Sequence, residues 1–250
     1  MPADSMSRRA AAFAVAVGTV ALASGRAAAV WGAVKGNGVR RTESRTVTGF
    51  TGIALSAPGQ LELRLGPAES VTIEADENIL PLVETTVSRG TLQVRTRRDQ
   101  DIDPTVLRIV VQARRIELLS LAGSGSIAAD ALKSPALKID ASGSGAITLQ
   151  RADIEALTVS MAGSGGANLA GKARVLKVSV AGSGTVSAGG LTADEARVSI
   201  AGSGLATVSA RTSLKASIAG SGSVRYQGDP KLERSIAGSG DVQRIGPLPS

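Results

Sequence analysis

Seven copies of the motif Gly-Ser-Gly, spaced 18 to 20 residues apart, constrain the fold of this chain more than any other feature. A fixed period in this range is typical of proteins built from stacked repeats. Glycine accepts positive φ angles and lets neighbouring backbones approach closely, so we predict that these motifs form structural turns. The glycines concerned are Gly123, Gly125, Gly143, Gly145, Gly163, Gly165, Gly182, Gly184, Gly202, Gly204, Gly220, Gly222, Gly238 and Gly240.

Between the turns, hydrophobic residues alternate with polar ones, as in the Leu-Lys-Val-Ser-Val of 176–180. Strict alternation rich in β-branched residues predicts strands, whereas a helical repeat would need apolar residues three and four positions apart. The predicted fold is therefore all-β, a single-chain parallel β-helix (solenoid) with coils of about 18–20 residues and Gly-Ser-Gly turns. We expect seven coils with roughly four inward positions each. Arg234 occupies such a position in the last coil and is expected to belong to a C-terminal cap.

The first residues have the pattern of a secretory signal peptide. Arg8 and Arg9 precede an apolar run over 10–23, and an Ala-Ala-Ala sequence ends at Ala29. The apolar run is shorter than the roughly 20 residues of a membrane-spanning helix. We therefore predict a signal peptide over 1–29, cleaved after Ala29, and an exported protein that is periplasmic, extracellular or on the cell surface. An uncleaved anchor is the alternative, and export by the general or the twin-arginine route stays open.

The rest of the chain divides into three parts by pattern. Residues 30–48 are basic and lack alternation, so they are predicted to be a loose linker. Strand patterns over 49–115, with a turn of helix near 78–83, predict N-terminal coils and a cap. The Gly-Ser-Gly repeats fill 116–245, and we expect 49–245 to form one domain.

Composition excludes most chemistry. The chain has no Cys and no His, which removes disulfides, Cys/His metal sites and His-based catalytic triads. Aromatic residues make up 2%, too few to stack nucleobases or sugar rings, and a net charge of +7 is too weak to indicate a nucleic acid. No phosphate-binding or nucleophile-elbow motif is present. We therefore predict no catalytic residue, no cofactor, no metal and no nucleic-acid partner.

Three groups of polar residues are candidate binding sites. Asp99, Asp101 and Asp103 lack the Gly and Glu of an EF-hand loop, so a solvated acidic loop is favoured over a calcium site. An arginine cluster could meet an anionic polymer, but a solvated face paired with Asp99 and Asp101 is favoured; it comprises Arg95, Arg97, Arg98, Arg114 and Arg115. The central serines of the turns could contact a glycan or protein, although a ladder satisfying its own backbone is favoured; they are Ser124, Ser144, Ser164, Ser183, Ser203, Ser221 and Ser239.

The chain also resembles a known family. Phe-Thr-Gly-Ile at 50–53, Asp-Glu-Asn-Ile at 76–79, the serial Gly-Ser-Gly turns and Tyr-Gln-Gly-Asp-Pro at 226–230 are similar to the GIN domain. This family is described as the head of auto-transporter adhesins and occurs in secreted bacterial proteins. The resemblance spans about 47–244 and implies an adhesin-like β-helix, so 49–245 is a GIN-like domain. It carries over no catalytic residue.

These patterns favour a non-enzymatic, secreted or cell-envelope β-helical module with an adhesin-like, structural or binding role. Its partner would be an unknown protein or glycan at the cell envelope, without stable membrane insertion after cleavage. One alternative is a carbohydrate-active enzyme, since β-helices also carry polysaccharide lyases and hydrolases built on Asp/Glu pairs. The other is a periplasmic scaffold that binds a protein.

The exported protein should begin at Val30 or within a few residues of it, because the small residues ending at Ala29 form the predicted cleavage site. Amino-terminal sequencing of the protein recovered outside the cytoplasm measures this directly. Recovery of full-length protein, beginning at Met1, from the membrane fraction would contradict it.

Overall fold

Strands account for nearly all regular structure in the computed structural model, which describes residues 32–249. The first nine strands are β1 (Val34–Lys35), β2 (Arg40–Arg45), β3 (Gly52–Ser56), β4 (Gln60–Leu65), β5 (Ser70–Asp76), β6 (Val83–Ser88), β7 (Thr91–Thr96), β8 (Ile102–Asp103) and β9 (Leu107–Ala113). The others are β10 (Leu118–Gly123), β11 (Ser126–Gly143), β12 (Ala146–Gly163), β13 (Gly166–Gly182), β14 (Thr185–Gly202), β15 (Leu205–Gly220), β16 (Ser223–Gln227), β17 (Lys231–Ala237) and β18 (Asp241–Gly246). The expected helical turn is a single 3-10 turn, Leu80–Leu82.

The repeats stack in parallel and in register, which confirms the predicted solenoid. Strands β11 to β15 each pair with the next one along the chain, and the first glycines of successive turns pair directly, as Gly163 does with Gly182. The stack makes about six turns. The expectation of seven coils was too high, because seven corners enclose only six intervals.

Each coil has three faces separated by corners. In β11 the first face is 126–129, the second is 131–134 and the third is 136–143; pairing with β12 is interrupted at the two residues between them. Seven side chains of this coil are buried, where roughly four were expected. The difference arises because small residues such as Ala129 and Ser134 also point inward. The buried positions are Ile127, Ala129, Leu132, Ser134, Leu137, Ile139 and Ala141.

The N-terminal strands extend the same stack, but not in chain order. Strand β3 lies between β10 and β7, and β4 lies between β11 and β9, all in parallel. Beyond them the pairing becomes antiparallel, with β6 on β7, and with β5 on β9 and β2 on β5. The antiparallel strands cover this end of the solenoid.

The prediction of a loose linker over 30–48 was wrong for 34–35 and 40–45, which form β1 and β2. Strand β2 was missed because its side chains are nearly all exposed, so it has no hydrophobic alternation to detect. Arg45 fastens it, since its guanidinium donates to the carbonyl oxygens of Val83 at 2.5 Å and Leu80 at 3.2 Å.

At the other end, the last layer pairs on one side only within the described residues: β17 with β15, and β18 with β16. Arg234 takes the register position of the buried Ala216 and is exposed there. It lies at the end of the stack, as expected for a terminal position.

The predicted signal peptide over 1–29 and its cleavage site after Ala29 lie outside the described residues. Among residues 32–249, no helix is long and apolar enough to cross a membrane.

The two glycines of a turn are needed for different reasons. Gly182 has φ +113°, and a Cβ there would lie 2.7 Å from the carbonyl oxygen of Gly163 in the preceding coil. Gly184 has no left-handed φ, but a Cβ there would lie 2.5 Å from the sulfur of Met161. The corners themselves are joined by backbone hydrogen bonds, such as the Ser183 N–H to the Gly163 carbonyl at 3.0 Å. Side chains on these glycines would push the coils apart.

Replacing Gly182 with Val should destabilise the fold by about 1–3 kcal/mol, because valine opposes the positive φ and meets the neighbouring carbonyl. Denaturant unfolding measures the change. Ser183→Ala in the same turn is the control; Ser183 is exposed, so its loss should cost less than about 0.5 kcal/mol. Equal losses in the two variants would contradict the requirement for glycine.

Candidate functional site

The third face presents three columns of outward side chains, because equivalent residues pair directly between coils. The first, called here the cation column, comprises Lys138, Thr158, Lys177, Arg197 and Lys215. The second, the serine column, comprises Asp140, Ser160, Ser179, Ser199 and Ser217. The third, the alanine column, comprises Ser142, Ala162, Ala181, Ala201 and Ala219. Sequence reasoning missed these columns, although aligning the repeats at their glycines would have revealed them.

The small side chains of the serine and alanine columns leave a shallow trough of about 430 Å³ along the solenoid. Its lining runs from Ser120 to Ala201, so it crosses five successive coils. The cation column lies two residues away on the same strands and the same face, about 7 Å to one side. The trough therefore has hydroxyl and methyl groups along its length and one carboxylate, that of Asp140. The cations Lys138, Lys177 and Arg197 lie beside it.

The second face carries charges of alternating sign. Lys133 pairs in register with Asp153, which pairs in turn with Lys172. The Lys133 ammonium lies 3.2 Å from the Asp153 carboxylate, and the Arg211 guanidinium lies 3.9 Å from Asp194. These side chains border a polar groove of about 540 Å³. Attraction between neighbouring coils explains the alternation, since opposite charges on adjacent strands stabilise a sheet.

Asp76 is a fully buried carboxylate, which makes it a candidate functional group. Its carboxylate accepts hydrogen bonds from the Thr105 hydroxyl, from the Thr105 N–H at 2.8 Å and from the Gly38 N–H at 2.9 Å. The Thr105 side chain, with help from these backbone groups, lowers the pKa of Asp76 below its ordinary value although burial opposes the shift. A Cβ on Gly36 would lie within the space of this carboxylate. Asp76 thus joins three segments of the N-terminal end, and its role is structural.

The other residues of the motif at 76–79 are structural as well. The Asn78 side chain accepts from the Asn37 N–H at 3.0 Å and donates to the Lys35 carbonyl at 2.7 Å. Ile79 is buried in the core. These residues hold the segment around β1 against the end of the solenoid.

Glu62 is the other described carboxyl with a clear pKa shift. Hydrogen bonding from Arg108, at 2.5 Å, lowers the pKa of Glu62, with a smaller contribution from Arg64. The group lies on the outer surface of β4, a third exposed at its side chain. It therefore stays ionised in an ordinary surface ion pair.

The arginines predicted to cluster do not form one site in the structure. Arg95 pairs with Glu84 at 3.0 Å and Arg115 pairs with Glu117, so the expected pairing with Asp99 and Asp101 was wrong. Arg114 instead donates to the Pro67 carbonyl at 3.0 Å. No three His, Cys, Asp or Glu residues within 32–249 are placed to hold a metal ion.

The central serines of the turns are exposed along one corner. Their backbone N–H groups bond to the preceding coil, as that of Ser144 does to the Gly123 carbonyl at 3.0 Å. These serines follow the third face in sequence, and none of them lines the trough.

A parallel β-solenoid with a regular, exposed third face is the class that these features define. Residues 49–230 match the family described as "Putative auto-transporter adhesin, head GIN domain", and the chain belongs to this family. The resemblance in its motifs is thereby confirmed. No curated protein matches the sequence significantly.

Solved structures share the fold. A putative adhesin from Bacteroides fragilis NCTC 9343 is 24% identical with a TM-score of 0.81, covering 85% of this chain and 100% of its own. A putative lipid binding protein from Parabacteroides distasonis ATCC 8503 is 26% identical with a TM-score of 0.73, covering 86% and 100%. A putative adhesin from Parabacteroides merdae ATCC 43184 is 25% identical with a TM-score of 0.66, covering 85% and 98%.

Asp76→Asn should lower the melting temperature at neutral pH, because an amide cannot accept all the hydrogen bonds of the carboxylate. The lowered pKa means that the carboxylate stabilises the fold above the unfolded pKa, near 3.9, and that this contribution disappears as the pH falls through the folded value. Melting curves between pH 7 and pH 2.5 should therefore converge for wild type and variant in acid.

Asp229→Asn is the matched control, since this carboxylate is 93% exposed and lies 3.9 Å from Arg244. Its melting curves should follow those of wild type at every pH. A constant difference between wild type and Asp76→Asn across the range would contradict the proposed source of the stability.

Proposed function

We propose that the mature chain is an exported, non-enzymatic binding module of the adhesin type that contacts its partner through the third face. The observation that carries this proposal is the trough, which crosses five coils with a row of cations beside it. Identical contacts repeated along an axis suit a partner that is itself extended, because weak contacts add when they engage together.

The comparisons support a binding role. The family is described as an adhesin head, and the Parabacteroides merdae neighbour is named as an adhesin. The Parabacteroides distasonis neighbour is named as lipid binding, so lipid vesicles belong among the probes. The neighbours and the family are named for binding, and none of these names is that of an enzyme.

We further propose that the chain acts in the periplasm, outside the cell or on its surface, after cleavage at Ala29. The basic, apolar and small-residue pattern of 1–29 supports export. The adhesin-head description of the family agrees with such a location.

Binding is favoured over catalysis by the electrostatics of the carboxylates. A glycosidase acid must hold its proton near neutral pH, which requires a raised pKa. The pKa values of Asp76 and Glu62 are instead lowered, chiefly by hydrogen bonds from Thr105 and Arg108. On the second face, Asp153 and Asp194 pair with the cations Lys133 and Arg211. These features suit stable surface pairs better than an acid/base pair.

The test blocks the trough. Tyr at both Ala162 and Ala181, which pair directly across two coils, should fill it and reduce binding by at least about tenfold. Binding of the mature chain is measured on an array of neutral and acidic glycans and on phospholipid vesicles. The same polysaccharides are assayed for released products, and none are expected.

The matched control places Tyr at Asn168 and Ser187, which pair directly on the first face and are exposed. Binding of this variant should equal that of wild type. Binding that survives the blocked trough would contradict the assigned face. Product release that one carboxylate substitution abolishes would establish the alternative of a carbohydrate-active enzyme, and binding to an envelope protein alone would favour the periplasmic scaffold.

A further inference from the structure

Three cations face one another directly in consecutive coils of the third face. Lys177 pairs in register with Arg197, and Arg197 pairs in register with Lys215. Neighbouring strands lie about 4.8 Å apart, so these side chains leave the sheet at that spacing. Like charges directly opposite each other destabilise a sheet.

The second face shows that the fold does not require this repulsion. There, the register-paired residues Lys133, Asp153 and Lys172 alternate in sign along the axis. The paired charges of the second face, on β11 to β13, thus attract one another between coils, whereas the paired charges of the third face, on β13 to β15, repel one another. A bound anion would relieve the repulsion on the third face, whereas the second face needs none.

Carboxylates of the chain compensate the cation column only in part. Arg197 lies 4.0 Å from Glu195, and Lys215 lies 3.7 Å from Glu233. The four side chains are 45% to 67% exposed, and ion pairs with such exposure contribute little. Lys177 has no carboxylate within 4.0 Å in the part of the chain that the structure describes. Lys177, Arg197 and Lys215 therefore form a positive stripe that the carboxylates of the described residues compensate only in part.

At its N-terminal end the column continues to Lys138, with Thr158 between. Lys138 donates to Asp140 at 2.6 Å, so it contributes less free charge than the other three. Four cations over five coils span about 19 Å along the axis at the spacing of parallel strands.

We infer that the third face binds a linear acidic polysaccharide, laid along the solenoid axis with its carboxylate or sulfate groups on Lys177, Arg197 and Lys215. Its sugar hydroxyls then lie over the serine column, where Ser179 and Ser199 present exposed hydroxyls. Aromatic residues are only 2% of the chain, so the face has no stacking surface for nucleobases. This inference rests on the proposed function and specifies its ligand class.

The test neutralises the stripe with Lys177→Gln, Arg197→Gln and Lys215→Gln combined. Polygalacturonate and a sulfated glycan are the probes, and neutral dextran is the comparison. The variant should bind both polyanions at least tenfold more weakly than wild type at low salt. Added salt should weaken wild-type binding and affect the variant less, because salt screens exposed charges.

The matched control combines Lys133→Gln, Lys172→Gln and Arg174→Gln. It also removes two lysines and one arginine, but Lys133 and Lys172 belong to the second face and Arg174 to the corner that follows it. This control should bind the polyanions within twofold of wild type. Equal losses in both variants would mean attraction by net charge alone and would overturn the inference.

Melting temperature supplies a readout that a folding defect would not imitate. The stripe variant should melt at or above wild type, because a repulsion is removed. The control should melt close to wild type, because Lys133 and Asp153 are 83% and 68% exposed and such a pair contributes little. Saturating polygalacturonate should raise the melting temperature of wild type and control but not of the stripe variant. A stripe variant that melts clearly below wild type would also overturn the inference.

The outcomes separate the two proposals. Binding of a neutral glycan or of vesicles that the blocked trough abolishes, with no dependence on the stripe, would keep the proposed function and overturn the acidic ligand. An acidic protein bound through the stripe, with neither polyanion bound, would overturn the polysaccharide as well. If none of the probes binds wild type through the third face, both proposals are overturned.

Discussion

The backbone contact between corners of successive coils is the constraint on which the rest of the structure depends. The Ser183 N–H reaches the Gly163 carbonyl at 3.0 Å, and neither Gly182 nor Gly184 leaves room for a side chain. Because the same backbone contact recurs at Ser144, Ser164, Ser203 and Ser221, it sets the register of all three faces at once. A residue type repeated in the sequence then becomes a column on the surface. The cation column and the alternating charges of the second face both follow from that registration.

The regular part of the fold could be predicted because its signals are local. Glycine spacing and alternation over 116–245 indicate turns and strands without knowledge of long-range pairing. The N-terminal end could not be predicted in the same way. The position of β3 between β7 and β10 is a choice among strands with similar alternation, and no local pattern distinguishes it. Strand β2 has no buried face, so the hydrophobic pattern of the sequence does not indicate a strand there.

The candidate site could not be predicted for a different reason. Its residues are polar and point outward, whereas hydrophobic periodicity identifies only the inward, apolar positions. Lys177, Arg197 and Lys215 occupy the same place in three repeats, and their alignment was available in the sequence. The structure adds that the three residues pair in register, so their charges lie beside one another at the spacing of neighbouring strands. The structural role of Asp76 likewise depends on Thr105 and Gly38, which only the folded chain brings to it.

The two ends of the solenoid differ in a way that bears on mechanical load. Antiparallel strands and the Asp76 contacts lock the N-terminal end, whereas β17 and β18 pair on one side only. Hydrogen bonds between coils lie along the axis, so tension applied to the last layer opposes one coil's bonds at a time. Unwinding would proceed from that end in steps of one repeat. At about 3.3–3.6 Å per extended residue, a coil of 18 to 20 residues releases about 60–70 Å of chain, so a tethered head would lengthen in increments before its N-terminal end yielded.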